Sequence, residues 1–214
     1  MKKQRLQFFG ILSIFFFSSC LNDLPESISS DVEVNTSLAF PIGETSLELN
    51  EISGFNEDLL QINPLTNKPY WVEYEEIPLV YSMSFEVGDI YQSAEEIVQL
   101  VFRLNIYNEF PSDVEIQLYF FDSNGFMQDV LFQNGPLELK AAKVDENGTV
   151  LSKTHEKKDI VFESGRIQNL QLVNTLTVSV VFSTKGIDEN LVQYYQNYHV
   201  DIQIGVKADL RFNP

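Results

Sequence analysis

Hydrophobic and polar residues alternate along most of the chain with a period of two, the pattern of a strand with one buried face. Val32, Val34, Thr36, Leu38 and Phe40 begin it. Pro41-Ile42-Gly43 then interrupts, because Pro has no N–H for a ladder and Gly favours turns. Ser46 to Ile52 fits a strand or a short helix equally well. Gly54, Pro64 and Pro69 punctuate a loop-like stretch over 54–69. Tyr70-Trp71-Val72-Glu73-Tyr74 reads as a strand of β-forming residues, and Leu79 to Val87 as another, with Pro78 at its start. Residues 89–96 are the best short helical stretch, with a loop as the alternative.

The alternation strengthens beyond residue 97. Val98, Leu100, Phe102, Leu104 and Ile106 fall on one face, and Val114, Ile116, Leu118 and Phe120 form the next run after Asn108-Glu109-Phe110-Pro111. Asp122-Ser123-Asn124-Gly125 and Asp145-Glu146-Asn147-Gly148 are matching turns, since Asp caps its own backbone and Asn and Gly tolerate positive φ. Strands are expected over 126–132, 137–144, 149–154 and 160–162, the last two flanking a charged loop from His155 to Asp159. Leu176, Val178, Val180 and Phe182 mark a strand over 175–183. The run over 198–212 alternates through Val200, Ile202, Ile204, Val206, Ala208, Leu210 and Phe212. Many short strands separated by turn residues predict an all-β chain, an antiparallel immunoglobulin-like β-sandwich with one face of each sheet wet. A transmembrane barrel alternates too, but the many charges at outward positions oppose it.

The first nineteen residues follow a different pattern. Lys2, Lys3 and Arg5 precede an apolar run from Leu6 to Phe17. That run is too short for a spanning helix, which needs about 20 apolar residues, and reads as a cleaved signal peptide. Phe17-Ser18-Ser19-Cys20 resembles the lipobox of Bacteroidota outer-membrane lipoproteins. The resemblance implies cleavage of residues 1–19 and a lipidated Cys20. Each buried acyl CH₂ contributes about 0.8 kcal/mol, so two or more chains hold a protein firmly to a membrane. Residues 20–31, with Pro25, Ser27, Ser29 and Ser30, read as a flexible tether. By resemblance to the enterobacterial sorting rule, Leu21 rather than Asp directly after the Cys implies the outer membrane, with periplasm-facing and surface-exposed placements both open. Beyond the tether lie an N-terminal β-rich segment, 32–96, and a C-terminal β-sandwich, 97–214. Val98 to Phe121, with its Asn-x-Phe-Pro turn, resembles the immunoglobulin-like domain of the late embryogenesis abundant 14 type. Phe40-Pro41-Ile42-Gly43 followed by Leu47, Leu49 and Ile52 resembles the opening of many Bacteroidota lipoproteins. Neither likeness implies an activity.

Composition narrows the chemistry. The 214 residues carry 14 Lys+Arg and 31 Asp+Glu, a net charge of −17. Residues 1–19 hold three of the bases and no acid, so the mature chain has 11 bases against 31 acids, a net of −20. That balance opposes nucleic acid as a partner, because phosphate must be neutralised by Lys and Arg. It serves solubility instead. One Cys and two His leave no disulfide framework and little for a zinc site, and no cofactor is expected. Gly-x-Ser-x-Gly is absent, as is any Gly-rich phosphate loop. His155 and His199 are far apart in sequence and read as surface or structural residues. The Asp-x-Asn-Gly turns offer oxygens of the kind calcium takes. An EF-hand needs Glu at loop position 12, however, and its Gly at the sixth place. Here position 12 is Gln133 or Glu156 and the Gly is fourth, so hairpin turns explain both better.

Aromatic side chains are the remaining candidates. Tyr70, Trp71 and Tyr74 form the candidate ligand-binding group, and Tyr194, Tyr195 and Tyr198 a second, with core packing as the competing explanation. Glu73, Glu75 and Glu76 flank the first group. They could supply the paired carboxylates of a glycosidase, which must stand about 5–10 Å apart, or form a charged strand edge. The chain therefore reads as a lipid-anchored, non-catalytic envelope β-sandwich that binds or scaffolds envelope proteins or glycans. The alternatives are a glycan-binding accessory protein and a carboxylate-based glycoside hydrolase.

Overall fold

A computed structural model of the chain describes residues 34–49, 60–71, 76–85, 97–184 and 187–212. The expected signal peptide (1–19), Cys20, the expected tether (20–31), Tyr74 and the stretch 89–96 lie outside the described residues. The chain divides into two compact units, and Asn35–Arg211 forms the larger.

The described strands are β1 (Val34–Glu48), β2 (Leu60–Ile62), β3 (Pro69–Trp71), β4 (Glu76–Ser84), β5 (Ile97–Asn108), β6 (Val114–Asp122) and β7 (Met127–Val130). They continue with β8 (Leu137–Leu139), β9 (Lys143–Val144), β10 (Val150–Ser152), β11 (Thr154–Phe162), β12 (Val173–Ser183) and β13 (His199–Phe212). Two short helices, α1 (Ser164–Asn169) and α2 (Glu189–Val192), lie between the last long strands. One sheet has the order β1-β13-β5-β11 and the other β4-β12-β6-β7, with β8 also beside β6. β2 pairs with β3, and β9 with β10.

The protein is an all-β antiparallel sandwich, and its sheets are open rather than closed into a barrel. Successive long strands alternate between the sheets: β1, β5, β11 and β13 in one, β4, β6 and β12 in the other. Such weaving is the double Greek key of a jelly roll, one member of the sandwich class. Strands from 32–96 and from 97–214 join in each sheet, since β1 lies beside β13 and β4 beside β12.

The core is built from the alternating positions. Leu100, Phe102, Leu104 and Ile106 of β5 are fully buried, as are Ile116, Leu118 and Phe120 of β6 and Leu176, Val178, Val180 and Phe182 of β12. Burying each such side chain is worth about 1.5–3 kcal/mol. Phe102 is the hub of an aromatic seam, 4.8 Å from Phe162, 5.4 Å from Phe120 and 6.0 Å from Phe85. One alternation slips. Val98 is 46% exposed while Ile97 is buried, because the register with β13 shifts where Asp209 faces Gln99 and Leu210 faces Ile97. A bulge inserts one residue and reverses the phase beyond it.

Three other expectations change for one reason, position at a sheet edge. Pro41-Ile42-Gly43 does not end the first strand, since β1 runs through it. Pro78 falls inside β4 rather than at its start. β1 and β4 each end their sheet's order, and an edge strand can dispense with one N–H. His155–Asp159 is part of β11 rather than a loop. β11 is also an edge, and it carries half-buried Glu156 and Lys158, paired at 2.8 Å. Charges of that kind discourage further strand pairing.

The two Asp-x-Asn-Gly turns have one geometry. Asp122 Oδ1 accepts from the N–H groups of Asn124 (2.8 Å) and Phe126 (2.9 Å). Asp145 Oδ1 accepts in the same way from Asn147 (2.9 Å) and Thr149 (2.8 Å). Gly125 and Gly148 have φ of 81° and 80°, a region open to glycine at little cost.

Candidate binding face on the four-stranded sheet

The register of the four-stranded sheet sets out its outward face. From Val101 to Tyr107 the odd-numbered residues of β5 point away from the core, and their cross-strand neighbours follow from the pairing. Arg103 stands between Asp159 and Gly205, Asn105 between Lys157 and Gln203, and Tyr107 between His155 and Asp201. At one end of this face the Arg103 guanidinium grips Asp159 with two hydrogen bonds, of 2.7 and 2.6 Å. It holds the Asp159 carboxyl below the usual carboxylate range, and its own pKa rises in return. Both side chains are more than 40% exposed, so the pair orders the surface and contributes little stability.

The other end carries a denser ionic group. Asn108 is fully buried and shapes the turn that follows β5. Its Nδ2 donates to the carbonyls of Ser112 and Lys140 at 3.0 Å each, and its Oδ1 accepts from Phe110 N at 2.9 Å. That turn places Phe110 in the core and Glu109 against the start of β13. Lys153 lies 2.6 Å from Glu109 Oε1, and His199 Nδ1 lies 2.9 Å from Glu109 Oε2. The other ring nitrogen, His199 Nε2, is 3.3 Å from Asp201, which also lies 3.8 Å from Lys153. Hydrogen bonding to Glu109 raises the Lys153 pKa. The group is closed on itself: both Glu109 oxygens and both His199 nitrogens face partners within it. Beside it the Tyr107 and His155 rings stack at 4.3 Å with 9° between their planes.

Between the two ends runs a groove. One depression of about 780 Å³ is lined by Phe40, Glu44, Val101, Asn105, Gln203 and Gly205, among others. A second, of about 720 Å³, borders Tyr107, Lys153 and Asp201 and shares Glu44 and Gln203 with the first. Each falls in the size range of ligand clefts, about 300–1,000 Å³. β1, which lies beside β13 in the sheet, forms one wall. A Cβ on Gly205 would stand 3.4 Å from the Phe40 carbonyl oxygen, an ordinary van der Waals contact, so the glycine leaves open a floor that a larger side chain would fill. The side-chain amides of Asn105 and Gln203 line this groove and make no hydrogen bond among the described residues.

Tyr70 and Trp71 are not brought together. They are neighbours in β3, so their side chains leave opposite faces. Tyr70 Oη hydrogen-bonds Gln61 at 3.1 Å. Trp71 packs edge-on against Tyr195 (5.5 Å) and Phe182 (6.1 Å), so its ring is committed to the core. Glu73 and Glu75 lie outside the described residues with Tyr74, and Glu76 is exposed at the start of β4. Tyr195 and Tyr198 are buried, and Tyr194 packs on the core. Burial pushes the Tyr195 phenol up strongly and that of Tyr198 to about 12. Among the described residues no group of His, Cys, Asp or Glu is arranged to hold a metal ion, and no helix is long and apolar enough to cross a membrane. The groove residues Asn105, Gln203 and Gly205 escape sequence reading, since each is an ordinary outward position until the sheet sets β1, β13 and β5 side by side.

No family model matches the chain, and no curated protein matches it. Among solved structures it is similar to a "putative secreted protein" from Parabacteroides distasonis, with 12% identity and a TM-score of 0.44, over 62% of this chain and 38% of that one. It is also similar to the VP2 subviral particle protein of infectious bursal disease virus, with 9% identity and a TM-score of 0.38, over 82% of this chain and 33% of the other. The chain thus spans well under half the length of these two structures.

Proposed function

We propose that the chain is a lipid-anchored, non-catalytic protein of the cell envelope whose β-sandwich is a binding module. The observation that carries this reading is the open outward face of the four-stranded sheet. There a ligand-sized groove presents side-chain amides at Asn105 and Gln203 that have no partner among the described residues. The neighbouring ionic group supports binding over catalysis. A general base needs a free acceptor within hydrogen-bond reach of the proton it removes, and both His199 nitrogens face carboxylates. The anchor rests on the basic start, the apolar run and Phe17-Ser18-Ser19-Cys20. A net charge of −20 once residues 1–19 are removed supports a domain held in water beside a membrane, since like-charged headgroups repel it.

The experiment has two arms. In a host that processes lipoproteins, the wild-type chain is expected in the outer-membrane fraction and Cys20→Ala in the soluble fraction. Cys20→Ala remaining with the membrane would remove the anchor from the proposal. Glycoside hydrolase activity in the purified chain that disappears with Glu73→Gln, Glu75→Gln or Glu76→Gln would replace the binding module with an enzyme.

A further inference from the structure

We infer that the groove between β1 and β5 binds a neutral oligosaccharide, laid along the strands over Gly205. The inference rests on the binding-module reading and names its ligand class.

Three observations lead to it. The first is charge. Both cations lining the main depression, Arg103 and Lys207, already hold a carboxylate: Arg103 that of Asp159 at 2.6 Å, Lys207 that of Asp209 at 3.0 Å. Glu44 adds a further negative charge to the wall, and the chain as a whole stands at −17. Among the described residues the lining of this depression holds no further cation to neutralise an anionic ligand, and Lys157, across the ladder from Asn105, lies outside that lining.

The second is the position of the groove on a sheet face. A peptide bound by strand addition needs a free sheet edge, where backbone N–H and C=O groups are open. The groove floor is β13, which sits between β1 and β5 with its backbone committed to ladders. A ligand there meets side chains and the bare Gly205, and no open sheet edge. A peptide would leave its backbone groups mostly unpaired, whereas sugar hydroxyls can donate to and accept from side-chain amides.

The third is the set of groups offered. Asn105 and Gln203 are cross-strand neighbours, and each amide presents two donors and an acceptor with two lone pairs. Apolar surface at Phe40 and Val101 and the half-buried Tyr107 ring border the same path. Aromatic and apolar surfaces of that kind suit the C–H faces of a sugar ring, with polar groups fixing its orientation. From Val101 to Tyr107 the strand advances about 20 Å at about 3.4 Å per residue, longer than a single sugar unit.

The test is isothermal titration of the purified chain with three neutral hexasaccharides (cellohexaose, maltohexaose, mannohexaose) and with hexagalacturonate as the acidic probe. Saturable binding of a neutral hexasaccharide is expected, weakened at least tenfold by Asn105→Ala with Gln203→Ala. The same loss is expected from Gly205→Leu, which would occupy the floor. The Asn105 and Gln203 amides hold nothing else in the described fold, so circular dichroism and thermal melting of their variant should match wild type. Tyr70→Ala should bind as wild type does. Neutral binding that survives the double substitution overturns the groove as the site. Binding of hexagalacturonate alone, lost in the same variant, overturns the ligand class and leaves the binding-module reading standing. Failure of all three neutral probes to bind at millimolar concentration overturns the inference without bearing on the Cys20 anchor.

Discussion

Replacing Arg166 by Ala should destabilise the sandwich far more than breaking the exposed Arg103–Asp159 pair. Arg166 lies in α1, and Asp129 in β7 across from it. The two share a bidentate pair, 2.8 Å to Oδ1 and 3.2 Å to Oδ2. The same guanidinium donates to the Val130 carbonyl at 2.5 Å and stands 3.6 Å from the centre of the Phe162 ring. The side chains are only 18% and 5% exposed, so solvent does little to screen the loss. Arg166→Ala leaves a carboxylate buried without its cation, a change that costs about 3–5 kcal/mol. Total stability of a domain is about 5–15 kcal/mol, so the variant would lose a large fraction of it. For a chain of this size Tm falls by about 2–4 °C per kcal/mol. Urea unfolding followed by Trp71 fluorescence is a suitable assay, because the single tryptophan packs on Tyr195 and Phe182 and reports loss of the core. The midpoint should drop with the slope unchanged. The pair Arg166→Met with Asp129→Leu should recover most of the loss, since removing both charges removes the unpaired one. A single variant within about 1 kcal/mol of wild type, or a double variant as unstable as the single, would refute the assignment of this pair as a buried clamp on β7.

Further outcomes follow from the same geometry. Gly125→Ala and Gly148→Ala put Ala at nearly the same positive φ, and that alone should cost about 1–2 kcal/mol. Only Gly148 also meets a ring, since a Cβ there would collide with the Tyr194 side chain, whereas one on Gly125 would find nothing within 4 Å. Gly148→Ala should therefore be clearly the worse in chemical denaturation, and equal losses would mean the Tyr194 contact yields freely. Tyr198 ionises near 12 in the folded chain because it is buried, against about 10 when unfolded. Between those values the unfolded state binds fewer protons, so stability should fall as pH rises from about 10 to about 12. The fall of the urea midpoint with pH should become shallower in this window for Tyr198→Phe, with buried Tyr195 supplying the remainder; an unchanged slope would deny the burial effect at Tyr198.

The antiparallel sandwich class and most of the core were legible in the sequence, as the buried β6, β12 and β13 positions show. Period-two alternation is a local property of the chain, because one sheet face meets oil and the other water. The hairpin turns were legible too, since the Asp122 and Asp145 side chains take backbone N–H groups only two and four places on. Edge position was not. Pro41, Pro78 and the charged run from His155 to Asp159 look like breaks until a strand has only one neighbour, and that depends on segments distant in sequence. The bulge at Val98 likewise depends on how β13 meets β5.

The aromatic group shows the same division. Tyr70 and Trp71 are adjacent in sequence, and adjacency in a strand sends them to opposite sides. Glu109, Lys153, His199 and Asp201 are scattered through the sequence, and the pairing of β5 with β11 and β13 gathers them. The amino-acid order alone determined an acidic, alternating chain with a lipobox-like run ending at Cys20, because charge, periodicity and motif spacing are all counted along the backbone. The groove over Gly205 was decided only when β1 and β5 came to flank β13, because a surface concavity comes from strands that the sequence holds far apart.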